Sequence, residues 1–244
     1  MGNDAVRLEI DSGIAIITLD RPEAGNALDA AMASQLGDAC DRANHDDSIR
    51  LAVIRGAGNV FCRGRDSEER LGASELVASV VKPVVAAIGG DALGAGLELA
   101  LACDIRIGAD SARFGMPQLQ SGRVPHEGGT QRLPRIVGRA RALDLLFGGG
   151  TIDAAEAARI GLLSRVLPAR LVWQETYELA LKMADMAPYS LRFAKEAIVK
   201  GLDMTLDQGL RLEADLYFLM HTTHDRVEGI TSYLQRRKPH FEGK

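Results

Sequence analysis

Cysteine is scarce in this chain. Its 244 residues include three, Cys40, Cys62 and Cys103. The number is odd, the spacings are wide, and no CxxC pair occurs. Neither a disulfide framework nor a thiolate zinc site is signalled, and a reducing cytoplasm is the expected location. Arg63 and Arg65 flank Cys62 closely enough to activate a thiol, but a small residue at a strand end is the simpler reading. A basic excess is also missing. Lys and Arg total 29 against 33 Asp and Glu, a net charge of −4. Neither nucleic acid nor an anionic membrane is an expected partner, and a phosphate-rich ligand would need a local basic site. Apolar runs are short: Val84 to Ile88 is among the longest, far below a membrane span. Met1 to Asp11 lacks the basic-then-apolar order of a secretory signal. No GxSxG elbow points to an α/β-hydrolase, and no Walker loop is present. His221, His224 and Asp225 cluster without a further ligand motif, so a polar turn is expected there and no metal.

What is present suits one globular unit. Hydrophobic residues make up 46% and charged residues 25%, enough for a sizeable core. Ile14 to Leu19, Leu51 to Arg55, Val84 to Ile88 and Asp104 to Ile107 read as strands. Asp29 caps a helix over Ala30 to Ala43, with Met32, Leu36, Ala39 and Cys40 at helical spacing. Gly94 to Cys103 is apolar on nearly every face and reads as a buried helix. This alternation predicts an α/β fold with parallel strands. After Pro168 the pattern turns helical: Trp173 to Met186, Ser190 to Lys200, Thr205 to Leu219 and Asp225 to Arg236. The expected division is an α/β core over 1–168 and a helical region over 169–244.

The stretch Lys82 to Asp104 carries the chemistry. A strand ends at Gly89-Gly90, and Gly94-Ala-Gly96 opens the buried helix. N–H groups at a helix start lack intrahelical partners and sit at the positive end of the dipole. Glycines let a ligand come close to them, which makes a nest for an oxyanion. Glu98 follows one turn in, within an apolar run where a carboxylate is costly unless paired or used. Beside an oxyanion site it can move a proton near a polarised carbonyl. Two plainer readings stand next to this one. The glycines also suit tight helix packing, or a dinucleotide fingerprint lacking its third glycine, and Glu98 suits a structural carboxylate.

The same stretch resembles the signature of the crotonase (enoyl-CoA hydratase/isomerase) superfamily, and the resemblance runs along nearly the whole chain. Leu19-Asp-Arg-Pro-Glu-Ala-Gly-Asn-Ala-Leu28 is similar to the family's first loop, and Val60-Phe-Cys-Arg-Gly-Arg-Asp66 to its F-x-x-G-x-D segment. Phe114-Gly-Met-Pro-Gln118, Gly128-Gly-Thr-Gln-Arg-Leu133, Ala154 to Val166 and Tyr233 to Phe241 follow in family order. The resemblance implies a spiral of ββα units around two roughly perpendicular sheets. It also implies a helical C-terminal region that drives homotrimers or dimers of trimers. An acyl-CoA substrate of the kind met in fatty acid metabolism is expected, with no metal or redox cofactor. Carried over, the oxyanion hole is the backbone N–H of Arg65 and of Ala95. Glu23, Ala24, Gly94 and the segment Arg65, Asp66, Ser67, Glu68 would lie along the thioester and CoA, with Lys238 and Phe241 near its adenine and phosphates.

The chain departs from the family pattern at the second acid. Hydratases of the family hold water between two glutamates. Glu98 matches the first, but Gln118 stands at the second, and an amide orients water without exchanging its proton. His126 and Glu127 stand where small residues are usual, and an acidic residue resembling Glu127 occurs in some hydrolases and synthases of the superfamily. Arg65 is bulky at a position where small residues are common, and the Asp66 to Lys82 connection looks short. Three functions compete on this reading. The first is hydration or dehydration of an enoyl-CoA with Glu98 as acid/base and Gln118 orienting. The second is hydrolysis or carbon–carbon cleavage of an oxo-acyl-CoA using Glu98 with His126 or Glu127. The third is acyl-CoA binding without catalysis.

Overall fold

Apolar, β-branched runs covered on both faces make central parallel strands, and this chain has several. The computed structural model describes residues 4–66 and 69–244. In chain order the strands of the larger sheet are β1 (Val6–Asp11), β2 (Ile14–Leu19), β3 (Leu51–Gly56), β5 (Val84–Ile88), β7 (Ile105–Ala109) and β10 (Arg165–Leu167). They lie side by side in that order. Every residue of β2 and β5 is buried. Their registers are parallel, with Ile14 opposite Leu51, Ala52 opposite Val84 and Val85 opposite Ile105.

Strand β1 is the exception to the parallel order, and the apolar runs do not mark it, although Val6, Leu8 and Ile10 alternate with Arg7, Glu9 and Asp11 at the period of a strand. It pairs antiparallel with β2 through a two-residue turn at Ser12 and Gly13, both at positive φ. As an edge strand it buries only Val6 among its six residues, leaving Leu8 and Ile10 of the apolar face exposed.

The second sheet joins β4 (Val60–Cys62), β6 (Asp91–Leu93), β8 (Arg113–Gly115) and β9 (Thr151–Asp153). Three residues each are too few to show a period. Each of the first three follows directly on a strand of the larger sheet. Helix α1 (Ala30–His45) precedes β3, and Asp29 caps it by accepting from Met32 N–H. Helices α2 (Ala73–Ala78) and α3 (Ala95–Ala102) close the next two units, and α4 (Gly129–Val137) and α5 (Arg139–Gly148) close the third. The result is the expected crotonase-like α/β spiral of ββα units. Three glycines let β4 pass close to its neighbours. A Cβ on Gly56, Gly90 or Gly96 would sit 2.1, 1.9 or 2.0 Å from the carbonyl oxygen of Val60, Asn59 or Cys62.

Beyond α6 (Ala154–Arg159) and β10 the chain is helical: α7 (Ala169–Ala184), α8 (Pro188–Gly201), α9 (Leu206–Met220) and α10 (His224–Leu234). Val172, Ala180 and Met183 of α7 pack in the same core as the strands, and Trp173 lies under the Arg55 guanidinium. The first helix after residue 168 thus belongs physically to the core layer. The other three lie outside it, with Leu191 of α8 packed at its edge and Lys195 of α8 tying them to it. Its ammonium pairs with Asp104 at 2.8 Å and donates to the carbonyls of Val80 and Lys82. Among the described residues, no helix is long and apolar enough to cross a membrane.

Candidate active site

Helix α3 is buried on every side, and Glu98 is 1% exposed within it. Gly94 caps the helix at φ 54 and ψ −124, a region open essentially to glycine alone. That turn leaves Ala95 as the first helical residue, whose N–H has no intrahelical acceptor. The facing strand supplies a second donor. Leu28 N–H donates to Gly64 O and Asp66 N–H donates to Leu28 O, both at 2.9 Å, in a parallel bridge between Leu28 and Arg65. Those bonds occupy one edge of the segment, so the Arg65 N–H points to the other. The two edges nearly touch: a Cβ on Gly94 would lie 3.8 Å from the Gly64 Cα and 3.8 Å from Gln118 Nε2.

The Glu98 carboxylate is held by backbone. Its Oε1 accepts from the N–H of Glu127 and of Gly129, each at 2.9 Å. The Gly129 N–H is the first of α4, where a negative charge is favoured, and the Glu127 N–H lies just ahead of its Gly128 cap. Its Oε2 accepts from Gln118 Nε2 at 3.1 Å, while Gln118 Oε1 is buried without a donor. Burial pushes the Glu98 carboxyl above the usual carboxylate range. The N–H groups of Gly129 and Glu127 oppose that shift, the Glu127 charge adds to it, and the Arg65 charge opposes it. Close approach requires Gly129, since a Cβ there would lie 2.9 Å from Glu98 Cγ, Glu98 Oε1 and Met116 Cε.

The side chains of His126 and Glu127 do something other than pair with Glu98. Glu127 is buried and turns toward the start of α2. Its Oε1 accepts from Leu71 N–H at 2.9 Å and Gly72 N–H at 3.1 Å, and its Oε2 from Ser74 N–H at 3.5 Å. Arg132 Nη1 holds its carbonyl at 2.9 Å. His126 Nε2 meets Arg65 Nη1, and its carbonyl accepts from Arg70 Nε at 3.1 Å. A guanidinium only donates, so Nε2 is the acceptor and the ring proton sits on Nδ1.

The first loop reaches the same region. Glu23 and Ala24 form a short 3₁₀ turn (Pro22–Ala24), and Arg21 beside them pairs with Asp29 at 2.6 Å and Asp66 at 2.9 Å. Ser67 and Glu68 lie outside the described residues. Lys238 and Phe241 belong to another neighbourhood. Lys238 pairs with Asp185 on the surface. Phe241 lines a hollow of about 480 Å³ with Ala187, Met220, Ile230 and Tyr233. That hollow lies among α8, α9 and α10 and does not include the Glu98 cluster.

Sequence reading brought Arg65, Gly94, Ala95, Glu98 and Gln118 to one place, and they meet. It missed Gly64, whose φ of 127 calls for glycine, Gly129, which admits the Glu98 side chain, and the role of Glu127 N–H as a ligand of Glu98. A glycine pair directly after an acidic residue was the available signal for the latter. The three thiols are free and buried, and burial pushes Cys62 up to about 12, which removes it as a nucleophile. Among the described residues, no group of His, Cys, Asp and Glu is arranged to hold a metal.

Known proteins are similar to this chain along nearly its whole length. Residues 9–244 match the enoyl-CoA hydratase/isomerase family. The chain is 39% identical to the 2,3-dehydroadipyl-CoA hydratase of Escherichia coli strain K12, covering 95% of this chain and 96% of that one. It is 35% identical to the crotonyl-CoA hydratase of Syntrophomonas wolfei over the full length of both. The crystal structure of an enoyl-CoA hydratase from Bacillus anthracis superposes with a TM-score of 0.95, at 35% identity, covering 98% of this chain and all of the other. Sequence, fold and relatives agree: this chain belongs to the enoyl-CoA hydratase/isomerase family, within the crotonase superfamily.

Proposed function

We propose that the protein adds water reversibly across the double bond of a 2-enoyl-CoA, with Glu98 as its one exchanging acid/base. The reading rests above all on one observation. Glu98 Oε1 is committed to two backbone N–H groups, while Oε2 faces Gln118 beside the Gly64 and Gly94 backbones. The thioester oxygen accepts from Arg65 N–H and Ala95 N–H. Water donates one hydrogen bond to Gln118 Oε1, which is otherwise without a donor, and another to Glu98 Oε2. As the water oxygen bonds to C3, its proton passes to Oε2 and charge moves onto the thioester oxygen. Fixed N–H donors stabilise that charge without reorganising. The enolate then collapses, C2 takes the proton from Glu98, and the carboxylate is restored.

A raised carboxyl suits both halves of this cycle, because proton transfer is most efficient when donor and acceptor strengths are close. The reaction needs no cofactor beyond the CoA of the substrate. Glu23, Ala24, Arg65, Gly94 and Asp66 are proposed to line the thioester and CoA, and Lys238 and Phe241, which stand away from the Glu98 cluster within one chain, to meet its far end across a subunit boundary. His126 and Glu127 enter as residues that build the site's walls. The cleavage reading, which needs one of them as an acid, is not favoured by a Glu127 carboxylate occupied by three N–H groups.

We also propose a homotrimer or dimer of trimers. Leu202, Leu206 and Tyr233 on or beside α8, α9 and α10 are 77%, 80% and 82% exposed, an apolar surface that a soluble monomer rarely leaves open. A cytoplasmic location fits the free, buried thiols. The test of activity is the mass of the product from crotonyl-CoA. A gain of one water with the thioester intact, abolished in Glu98→Gln, is expected. Release of free CoA, or equal turnover by the variant, would refute the assignment. Light scattering of the purified protein tests the assembly.

A further inference from the structure

Arg65 is unusual for what surrounds its side chain. The residue is half-buried, and Nη1 donates to His126 Nε2 and to Glu69 O, the latter at 3.1 Å. Nearby arginines each have a carboxylate: Arg21 has Asp29 and Asp66, Arg63 has Asp91, and Arg70 has Glu75. Among the described residues Arg65 makes no ion pair, and both its partners are neutral acceptors. A half-buried cation with only neutral partners among the described residues is set to take an anion, preferably a two-oxygen one that matches its fork of donors. Nη2 and Nε remain to supply that fork, and the Nδ1 proton of His126 adds a further donor.

The place of this pair matters as much as its chemistry. Arg65 leaves the segment whose N–H faces the Ala95 N–H, and His126 immediately precedes the residue whose N–H holds Glu98 Oε1. Their contact therefore joins the segment that carries the Arg65 N–H to the turn that holds the Glu98 carboxylate. The Arg65 charge is near enough to act on Glu98. Leu71 and Gly72 close the same side through Glu127. An acyl chain that runs from the thioester past Glu98 meets a cation there, where a hydrocarbon tail would need an apolar wall.

We propose that Arg65 and His126 form a subsite for a carboxylate at the far end of the acyl group, so that the preferred substrate is the CoA monothioester of a short enedioic acid. This rests on the acyl-CoA reading above, but its test does not depend on hydration. Calorimetry with two unreactive thioesters of equal carbon count, glutaryl-CoA and pentanoyl-CoA, measures the carboxylate preference directly. Wild type is expected to bind glutaryl-CoA roughly 10- to 100-fold more tightly, the range for charge-assisted hydrogen bonds in a shielded site. Arg65→Met and His126→Phe should each bring the ratio toward one, and Arg65→Lys should restore part of it. A purely structural role would weaken both ligands alike and leave the ratio unchanged. Equal or weaker binding of glutaryl-CoA by wild type overturns the proposal. So does a loss in Arg65→Met that is the same for both thioesters and for free CoA, which would move Arg65 to a CoA phosphate. Crotonyl-CoA turnover, followed in parallel, reports separately on the hydratase reading.

Discussion

Substituting Gly129 by alanine tests how tightly the Glu98 carboxylate is held. The new methyl would lie 2.9 Å from Glu98 Cγ, Glu98 Oε1 and Met116 Cε. Ordinary contact begins near 3.4 Å, so the neighbours must give by at least the 0.5 Å between those values. Met116 is fully buried and Glu98 is fixed by two N–H bonds, so the carboxylate itself must move. Misplacing a reacting group by about 1 Å costs on the order of 100-fold in rate. Half that displacement, on a group that handles two proton transfers, predicts a kcat loss of roughly 10- to 100-fold. Overpacking costs about 1–3 kcal/mol, and replacing a helical glycine by alanine returns about 1 kcal/mol. The net is about 0–2 kcal/mol, or a Tm lower by up to about 8 °C at the 2–4 °C per kcal/mol typical of this chain length. Gly148→Ala in α5 is the control, since a Cβ there has nothing within 4 Å. It should leave kcat unchanged and raise Tm slightly. Steady-state hydration of crotonyl-CoA with a thermal melt of each variant completes the assay. If Gly129→Ala kept kcat within about twofold, the held position of Glu98 would not be what catalysis requires.

Four further outcomes follow from the same geometry. Glu98→Gln should lower kcat by roughly 10²–10⁴-fold without lowering Tm, because it removes a buried charge and the Gln118 amide can turn its free oxygen toward the new N–H₂. Since the native state raises the Glu98 carboxyl above 4.5, the wild type holds that proton more tightly when folded. Its stability relative to Glu98→Gln should fall as pH rises from about 4.5 through the raised value, as melts across that range will show. Gln118→Glu places a second carboxylate against Glu98 Oε2, so its Tm deficit should widen as pH rises, while crotonyl-CoA hydration is retained or gained. Glu127→Ala leaves the Leu71 and Gly72 N–H groups unpaired, which should cost about 1–3 kcal/mol and raise KM more than it lowers kcat. Lys195→Met removes a pair with Asp104 and two carbonyl contacts. A loss of about 2 kcal/mol at unchanged kcat is expected from chemical denaturation.

Much of the fold was legible because its central strands are buried on both faces and so read as continuous apolar runs. Ile14–Leu19 and Val84–Ile88 begin and end where their composition says they should. Thr205 was placed at a helix start, and it forms a capping box with Gln208. The second sheet was not legible, because strands of three residues fall below any period. Strand β1 is different: Val6, Leu8 and Ile10 alternate with Arg7, Glu9 and Asp11, a period of two that was legible, and it goes unnoticed only when continuous apolar runs are taken as the mark of a strand. The site divides in the same way. Glu98 betrayed itself as a charge in an apolar helix, and Gln118 as an amide at a family position. The contribution of Glu127 could not be anticipated from its identity. Its backbone N–H holds Glu98 while its carboxylate serves α2, and main-chain donors leave no trace in a side-chain alphabet.

The three glycines that press on β4 act as a ruler for the oxyanion donor downstream. Gly56, Gly90 and Gly96 each face a different carbonyl between Asn59 and Cys62 with no room for a methyl group. A slip of that segment by one residue would set a side chain against at least one of these backbones, so its axial position is fixed to within a fraction of a residue. Arg65 lies three positions past Cys62, too few for the error to grow. Precision at the reacting carbonyl is thus inherited from places where the chain carries no side chain at all. Any redesign of the acyl pocket can work through the Arg65 and His126 side chains, but not through the three points against which β4 is measured.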